Sequence, residues 1–274
     1  MLRDPMRARG SRRRVVVMLS TLLLLGGASL LGTGGAALAA APEKLQVAVE
    51  GAYPPFNAVD AKGNWSGFDV EVAQAVCKQM AISCKLVQQP WDKMISGLVA
   101  GQYDMVVSSM SITEPRKQKI DFTQPYYQTP AKFIARKGTV LDADLAALKG
   151  KRVGVQKATN HDQYLRVVHG DLDIVRYQTI GEATSDLAAG KVDVVFGDAM
   201  GLNLGFLKTP KGKDFAFVGP DMRDPRFFGQ GMAIAVQKGN DGLRDRLNEA
   251  LLAIKSAGTY STIERKYFVF SMLP

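Results

Sequence analysis

Cysteine and histidine are scarce in this sequence. Its 274 residues include two cysteines, Cys77 and Cys84, and two histidines, His161 and His169. So few thiol and imidazole groups, without a Cys-x-x-Cys spacing, fit neither a zinc site nor a redox motif. His161 and Asp162 are neighbours along the chain, which is not the arrangement of a catalytic triad. We therefore expect a protein that uses no metal and no cofactor, and we find no nucleophile–base pair in the sequence.

A basic surface for nucleic acid is also missing, although the formal net charge is +9. Beyond residue 40 the chain has 29 basic and 25 acidic residues, intermixed, with no stripe of basic and aromatic residues. We therefore expect no nucleic-acid partner. The apolar fraction of 46% is ordinary for a globular core. The remaining net positive charge lies in the first 40 residues, where Asp4 is the one acidic residue. Six arginines carry it: Arg3, Arg7, Arg9, Arg12, Arg13 and Arg14.

The N-terminal segment has the pattern of an export signal. A basic stretch ending in SRRR precedes a long uncharged run, which closes on the small-x-small sequence Ala37-Leu38-Ala39. This predicts a cleaved signal peptide over residues 1–40 and a periplasmic protein. A permanent membrane anchor is the alternative, but the many Gly and Ala residues favour cleavage. No cysteine follows the run, so a lipoprotein is not expected. SRRRVVV loosely resembles a twin-arginine signal, which leaves the export route open.

The predicted export determines which oxidation state we expect for the two cysteines. In an oxidising compartment a nearby pair usually forms a bond. We therefore predict a disulfide between Cys77 and Cys84, which would tie the end of a helix to the start of the next strand.

After residue 43 the chain alternates between strand and helix patterns, which predicts an α/β fold with a mostly parallel sheet. Strands are predicted for LQVAVE (45–50), CKLVQ and DMVV (104–107). The first helix covers GFDVEVAQAVCKQM, with Asp69 as its cap and Val70, Ala73, Val76, Cys77 and Met80 facing inward. The second covers DKMISGLVAG, with Gly101 as its stop and Met94, Ile95, Leu98 and Val99 facing inward.

An internal repeat indicates two similar units. SGLVAGQYDMVVSS, from Ser96, resembles SDLAAGKVDVVFGD, from Ser185, and each reads as a helix, a glycine stop and a buried strand. The first strand ends in Ser108 and Ser109, and the second ends in Asp198. Because ligands bind at the carboxyl ends of strands in open α/β sheets, we expect Ser109 and Asp198 to face one cleft. Chance similarity at a common helix-to-strand junction is the alternative.

The second unit is predicted to begin near AKFIARKG (131–138) and to end near RDPRFFG (223–229). The strand MAIAVQKG and a helical tail broken at Gly258 then return to the first unit. The predicted divisions are 41–130 for the first part of lobe 1, 131–228 for lobe 2 and 229–274 for the rest of lobe 1. Two crossings between lobes make a hinge that can close around a ligand.

Arg116 is the candidate carboxylate binder. It follows the hydroxyl-rich stretch SSMSIT, in a short helix that Thr113 can cap and that has Pro115 in its first turn. A guanidinium presents paired donors that match a carboxylate, and the hydroxyls of Ser108, Ser109 and Ser111 lie near it in sequence. The alternative is a solvated surface charge, which is common for arginine in a segment such as EPRKQK.

Other candidates follow the remaining predicted strands. Asp198 is either an anionic partner for a ligand or the N-cap of the next helix, and it can be both. Glu50 follows the first strand, and the alternative there is an exposed turn residue. Tyr53 and Trp91 either stack on a ligand or pack their lobe. Thr159, with Asn160 beside it, begins a helix whose free N–H groups can bind an anion.

Together these stretches resemble the periplasmic amino-acid-binding proteins of ABC importers, closest to the lysine/arginine/ornithine, histidine and glutamine binders. The matching segments are YPPF, GFDVEVA, the cysteine pair, SSMSITEPRKQKIDFT with PYY, KGKRVGV, GKVDVVFGD and GTYSTIERKYF. The resemblance implies a two-lobe type II periplasmic binding protein fold with a two-strand hinge. It also implies a monomer that is not an enzyme, captures an L-amino acid and delivers it to a membrane permease.

The resemblance assigns roles residue by residue. Arg116, with Ser111 and Thr159, would bind the α-carboxylate of the ligand. Asp198, with Ser109, would bind the α-ammonium. Glu50 would contact a cationic side chain between Tyr53 and Trp91, and Ser108 belongs to the same serine pair.

Two departures from the family pattern leave the ligand open. Ala158 stands where the family usually has glycine, and Trp91 stands where phenylalanine is expected. Glu50 favours arginine, lysine, ornithine or histidine, and glutamine is the polar alternative. A cyclohexadienyl dehydratase on the same fold is a second hypothesis, with Lys157 or Glu182 as its general acid. A sensor subunit that presents a ligand to a receptor is a third.

Overall fold

The computed structural model describes residues 43–141 and 145–273. The predicted signal peptide and its cleavage site lie outside these residues. Within the described ranges, no helix combines the length and the apolar composition needed to cross a lipid bilayer.

The first lobe is built on a five-stranded sheet in the order β5-β1-β6-β13-β7. Strands β5, β1 and β6 run parallel, and β13 pairs antiparallel with both β6 and β7. Its elements are β1 (Lys44–Val49), α1 (Phe68–Gln79), β5 (Ser83–Gln88), α2 (Met94–Val99), β6 (Met105–Ser111), α3 (Glu114–Lys117), β7 (Ile120–Phe122), β13 (Met232–Gln237), α8 (Asp241–Ser256) and α9 (Thr259–Tyr267). A small antiparallel sheet follows β1, formed by β2 (Ala52–Tyr53), β3 (Asn57–Val59) and β4 (Trp65–Ser66).

The second lobe has a sheet of the same kind, in the order β10-β9-β11-β8-β12. Here β10, β9 and β11 are parallel, while β8 is antiparallel to β11 and β12. Its elements are β8 (Ala131–Arg136), β9 (Arg152–Gln156), α4 (Asn160–Val168), β10 (Asp173–Tyr177), α5 (Ile180–Ala188), β11 (Val194–Asp198), α6 (Ala199–Leu202), β12 (Phe215–Met222) and α7 (Pro225–Phe228). Short 3₁₀ turns at Trp91–Lys93, Ala146–Leu148 and Pro210–Gly212 and a π-helical turn at Asn203–Leu207 complete the two lobes.

The two sheets confirm the repeat that the sequence predicts. In one sheet β1 lies between β5 and β6, and in the other β9 lies between β10 and β11. The strands β6 and β11 are those of the repeated segments. Each sheet is covered on both faces by apolar side chains, which form two core clusters per lobe. The predicted α/β architecture is therefore observed, and the ends of equivalent strands lie at equivalent places in the two lobes.

The chain returns to the first lobe through a segment that requires glycine. Gly229 and Gly231 have φ angles of 73° and 111°. A Cβ atom at Gly229 would lie 2.0 Å from the carbonyl oxygen of Ile112, and one at Gly231 would lie 2.9 Å from that of Tyr127. Any side chain at these positions would push the returning segment away from the end of β6 and from the first crossing segment, which connects β7 to β8.

Several local expectations are corrected. Asp69 does not cap α1: the N-cap is Gly67, and no side-chain hydrogen bond caps this helix. Thr113 is the N-cap of α3, but its side chain makes no capping hydrogen bond. Val99 is 54% exposed rather than inward-facing, because α2 is short and Val99 is its last residue. The strand at DMVV begins at Met105 and continues through the serines to Ser111.

The predicted disulfide is present between Cys77 in α1 and Cys84 in β5. The two residues connect the end of the helix to the edge strand of the first sheet. The tail is helical on both sides of Gly258, whose φ of 76° breaks α8 from α9, as the sequence predicts.

Candidate functional site

A cleft lies between the lobes, at the carboxyl ends of β1, β6, β9 and β11. Of the nine residues predicted to contact a ligand, eight line this cleft: Glu50, Tyr53, Trp91, Ser108, Ser109, Ser111, Thr159 and Asp198. The ninth, Arg116, lies against two of the lining residues. The structure therefore gathers residues that are up to 148 positions apart in the sequence, from Glu50 to Asp198, around one space.

Arg116 is buried in the first lobe, with 7% of its surface exposed. Its guanidinium donates a 2.9 Å hydrogen bond to the backbone carbonyl of Ser111 and lies over the ring of Trp91, 5.3 Å from the centroid. No salt bridge within the described ranges involves Arg116. Burial lowers the pKa of Arg116 to about 10, so it remains a cation at neutral pH. A buried cation without an acidic partner is ready to bind an anion.

Glu50 is the first of two buried carboxylates at the cleft, and 6% of it is exposed. Its side chain accepts a 2.6 Å hydrogen bond from the amide of Gln156 in the other lobe. Its backbone N–H donates to the hydroxyl of Ser108 at 3.0 Å, which fixes the end of β1 against β6. Burial raises the pKa of Glu50 to about 7; the charge of Asp69 adds to the rise, and the hydrogen bond from Gln156 opposes it.

Asp198 is the second buried carboxylate, and it comes from the other lobe. One oxygen accepts hydrogen bonds from the N–H groups of Met200 and Gly201, at 3.0 and 2.9 Å, so Asp198 is the N-cap of α6. The other oxygen accepts from the hydroxyl of Thr129. Burial raises the pKa of Asp198 to about 7, and the two backbone hydrogen bonds oppose that rise. The structural role expected for Asp198 is therefore present, and the residue also lines the cleft.

Ser109 owes its position to Asp69, the residue that was expected to cap α1. Asp69 is fully buried and accepts hydrogen bonds from Asn57 at 2.8 Å, Ser109 at 2.8 Å and the hydroxyl of Tyr126 at 2.6 Å. Ser109 has a φ of 55°, a conformation that costs a residue with a side chain about 1–2 kcal/mol. Asp69 thus holds a strained serine at the cleft through its side chain.

Two aromatic residues enter the cleft from the first lobe. Trp91 packs on Arg116, and its indole N–H donates a 3.2 Å hydrogen bond to the carbonyl of Ala158 in the second lobe. Tyr53 stacks on Phe56, with ring centroids 5.4 Å apart. A Cβ atom at Gly201 would lie 2.4 Å from the Tyr53 hydroxyl, so glycine at 201 lets α6 approach this ring.

The N-terminus of α4 faces the cleft from the second lobe. Thr159 is the N-cap and accepts a 3.1 Å hydrogen bond from the N–H of Asp162. The side-chain amide of Asn160 donates to the hydroxyl of Ser111 across the cleft at 3.3 Å. Ala158 has a φ of 60°, a left-handed conformation that glycine adopts without strain. The departure from glycine noted in the sequence therefore falls on a position that favours glycine.

The cleft also contains residues that were not selected from the sequence. They are Tyr127, Gln156, His161, Ile180, Phe196, Gly197 and Met232; Asn160, which the sequence places beside Thr159, lines the cleft as well. Gln156 is the last residue of β9, so the strand-end rule that selected Asp198 was sufficient to find it. Tyr127 gives no such signal, because it lies between two strands in the first crossing segment.

A polar bridge joins the lobes beside the cleft. Asp92 of the first lobe accepts hydrogen bonds from Lys157 at 3.0 Å and from the side-chain amide of Gln178 at 3.1 Å, both in the second lobe. We call these three residues the Asp92 bridge. None of them lines the cleft. The bridge therefore holds the lobes together without occupying the space for a ligand.

The residues considered as general acids have structural partners. Lys157 belongs to the Asp92 bridge. Glu182 forms a capping box with Thr179 at the start of α5. In the part of the chain that the structure describes, no group of three or more His, Cys, Asp or Glu side chains is arranged to hold a metal ion.

Comparison with known proteins identifies the family. The model for bacterial extracellular solute-binding proteins, family 3, matches residues 45–270. The chain belongs to this family. This solute-binding protein is 41% identical over 235 residues to the L-arginine-binding protein of Pseudomonas aeruginosa. The aligned region covers 85% of this chain and 91% of that protein. It is 37% identical over 239 residues to the histidine-binding periplasmic protein of Salmonella typhimurium. That aligned region covers 86% of this chain and 92% of the Salmonella typhimurium protein.

Solved structures agree with this assignment. A Salmonella typhimurium periplasmic binding protein with high arginine specificity matches this solute-binding protein with a TM-score of 0.77 and 34% identity, covering 82% of this chain and 99% of that chain. The two-lobe α/β fold expected from the sequence is confirmed. Because the family and these relatives are binding proteins, the chain is a binding protein and not a dehydratase.

Proposed function

We propose that this solute-binding protein captures a cationic L-amino acid in the cleft and delivers it to the permease of an ABC transporter. One observation carries the proposal: two buried carboxylates, Glu50 and Asp198, line one cleft between the lobes, and an unpaired buried cation, Arg116, lies directly behind it. Arg116 contacts two residues of the lining, Ser111 and Trp91. An amino acid such as arginine has the complementary set, one carboxylate and two cationic groups. The match of sign and number favours this class over neutral or acidic amino acids.

The proposed contacts follow from the positions of these groups. Arg116, the hydroxyl of Ser111 and the N-terminus of α4 at Thr159 would bind the α-carboxylate. Asp198 and the hydroxyl of Ser109 would bind the α-ammonium. A ligand that lacked one of these charges would leave a buried group unpaired, which costs about 3–5 kcal/mol.

The remaining contacts would select the side chain. Glu50 would bind its cationic end, while Tyr53 and Trp91 would cover its apolar stem. Ser108 would act through Glu50, since its hydroxyl fixes the backbone of that residue.

The relatives support the class of ligand and the location. The Pseudomonas aeruginosa relative is an L-arginine-binding protein, and the Salmonella typhimurium relative is a histidine-binding periplasmic protein. We infer a periplasmic location, reached through a cleaved signal peptide over residues 1–40. We also infer that the lobes divide at 41–130, 131–228 and 229–274, so that the two crossing segments form the hinge.

Calorimetry of the purified protein against the twenty amino acids and ornithine tests this proposal. We expect arginine, lysine, ornithine or histidine to bind most tightly and acidic amino acids not to bind. Binding of an acidic amino acid in preference to a cationic one would contradict it. So would the absence of binding by every compound in the series.

A further inference from the structure

We propose that the hydroxyl of Tyr127 is a further ligand-binding group that contacts the α-ammonium, an inference that rests on the proposed function. Tyr127 lines the cleft and has none of its surface exposed to solvent. Its hydroxyl is the one buried side-chain polar atom without a hydrogen-bond partner in the described ranges. A buried hydroxyl is costly to leave unpaired, so a hydroxyl in this state at a binding cleft points to a partner on the ligand.

The ring of Tyr127 is held by the core of the first lobe. It stacks on Phe56, with centroids 4.9 Å apart, and packs edge-on against Phe68 and Tyr126 at 5.8 and 5.1 Å. The backbone is fixed as well, because the carbonyl of Tyr127 accepts a 2.8 Å hydrogen bond from Met232. These contacts leave the hydroxyl as the polar group that this residue can present to the cleft.

Neighbouring tyrosines show that the fold satisfies such hydroxyls where it can. Tyr126 donates its hydroxyl to Asp69 at 2.6 Å. Tyr260 donates to the backbone carbonyl of Tyr126 at 2.5 Å. Tyr127 shares their aromatic cluster, yet its hydroxyl faces no protein partner among the described residues. The difference between the three residues is that Tyr127 lines the cleft and the others do not.

The α-ammonium is the ligand group that fits this position. Burial raises the pKa of Tyr127 well above its usual value, and the charges of Asp69 and Asp198 add to the rise, so the phenol is neutral at physiological pH. A neutral phenol oxygen accepts a hydrogen bond from a cation. An ammonium has three N–H donors. Asp198 and Ser109 account for two of them in the proposed arrangement, and Tyr127 would accept the third.

The substitution Tyr127→Phe tests this assignment because it removes the hydroxyl and retains the ring. We expect the dissociation constant for L-arginine, measured by calorimetry, to rise about 10-fold, as for loss of a hydrogen bond to a charged group. The melting temperature of the ligand-free variant should be unchanged or higher, because an unpaired buried hydroxyl is gone. Tyr126→Phe is the matched control, and its ligand-free melting temperature should fall because Asp69 loses a donor.

The outcomes distinguish this inference from the proposed function. If wild-type protein binds arginine and Tyr127→Phe binds it within twofold as tightly, the role of Tyr127 is overturned and the proposed function stands. If the ligand-free melting temperature of Tyr127→Phe falls as far as that of Tyr126→Phe, the hydroxyl is structural and the inference fails. If wild-type protein binds no cationic amino acid, both proposals fail.

Discussion

Gln156 donates a hydrogen bond of 2.6 Å to Glu50 across the cleft, joining the end of β9 in one lobe to the end of β1 in the other. This bond favours the ionised form of Glu50 and opposes the effect of burial on its pKa. The same amide also donates to the backbone carbonyl of Gln178 at 3.1 Å, which fixes its orientation. Gln156 therefore supports the charge that the proposed cationic ligand requires.

Replacing Gln156 by leucine should raise the pKa of Glu50 above its present value of about 7. At pH 7 more of Glu50 would then be protonated, so binding of L-arginine should weaken by about threefold or more. At pH 8.5 the loss should be smaller, because Glu50 ionises again. Calorimetry at the two pH values measures the difference. An equal loss at both would mean that Gln156 acts by contact or packing and not through Glu50.

Glu50→Gln should change selectivity more than overall binding. The substitution keeps the shape of the side chain and removes its charge, so L-arginine should bind roughly 10-fold or more weakly. L-glutamine, whose side chain is neutral, should be affected by less than threefold. Dissociation constants for both ligands with wild-type and variant protein provide the comparison. A similar loss of affinity for both ligands would show that Glu50 does not select for a positive charge on the ligand side chain.

Ligand binding should release protons near neutral pH. Burial raises the pKa values of Glu50 and Asp198 to about 7 in the ligand-free protein, so both are partly protonated there. Cationic ligand groups favour the ionised carboxylates, which lowers those pKa values on binding. Affinity for L-arginine should therefore rise from pH 5 to pH 8 and then level off.

Proton release is measured directly by calorimetry at pH 7 in buffers of different ionisation enthalpy. The observed binding enthalpy should vary with the buffer in the direction of proton release, and the variation should be smaller in Glu50→Gln. An enthalpy that is the same in every buffer would show that neither carboxylate changes its protonation on binding.

The Asp92 bridge should affect how long the ligand stays bound. Asp92→Asn removes the ion pair with Lys157, whose members are 20% and 39% exposed. We expect the dissociation rate of L-arginine to rise about two- to fivefold, the range for partly exposed pairs, with little change in the association rate. Stopped-flow fluorescence separates the two rates.

Asp221→Asn is the matched control for this prediction. Asp221 pairs with Lys132 at 2.7 Å, and both residues lie within the second sheet. Breaking that pair should leave both rate constants unchanged. If the two variants behave alike, the contact between lobes has no special role in retaining the ligand.

Local sequence patterns were sufficient to predict the alternation of strands and helices and several of the strand ends at the cleft. The repeated segments led to β6 and β11, and the residues that end these strands line the cleft. This works because alternation of strand and helix fixes a parallel sheet, whose strand ends lie on one side.

The errors concern contacts between distant parts of the chain. Asp69 stands where a helix cap is expected, but Asn57 and Tyr126 supply hydrogen bonds from other elements and draw its side chain into the core. Tyr127 was missed because its position at the cleft depends on how its ring packs on Phe56. Neither contact has a signature in a short stretch of sequence.

The central claim is that Arg116 and Asp198 bind the two charged ends of one amino acid. The most direct test is the ratio of dissociation constants for L-arginine and agmatine, which lacks only the α-carboxylate, in wild-type protein and in Arg116→Met. Wild-type protein should prefer L-arginine by roughly 100-fold or more, since agmatine leaves a buried cation unpaired. In Arg116→Met, folded as judged by its thermal unfolding, the ratio should fall towards one. A preference that persists undiminished in Arg116→Met would contradict the account.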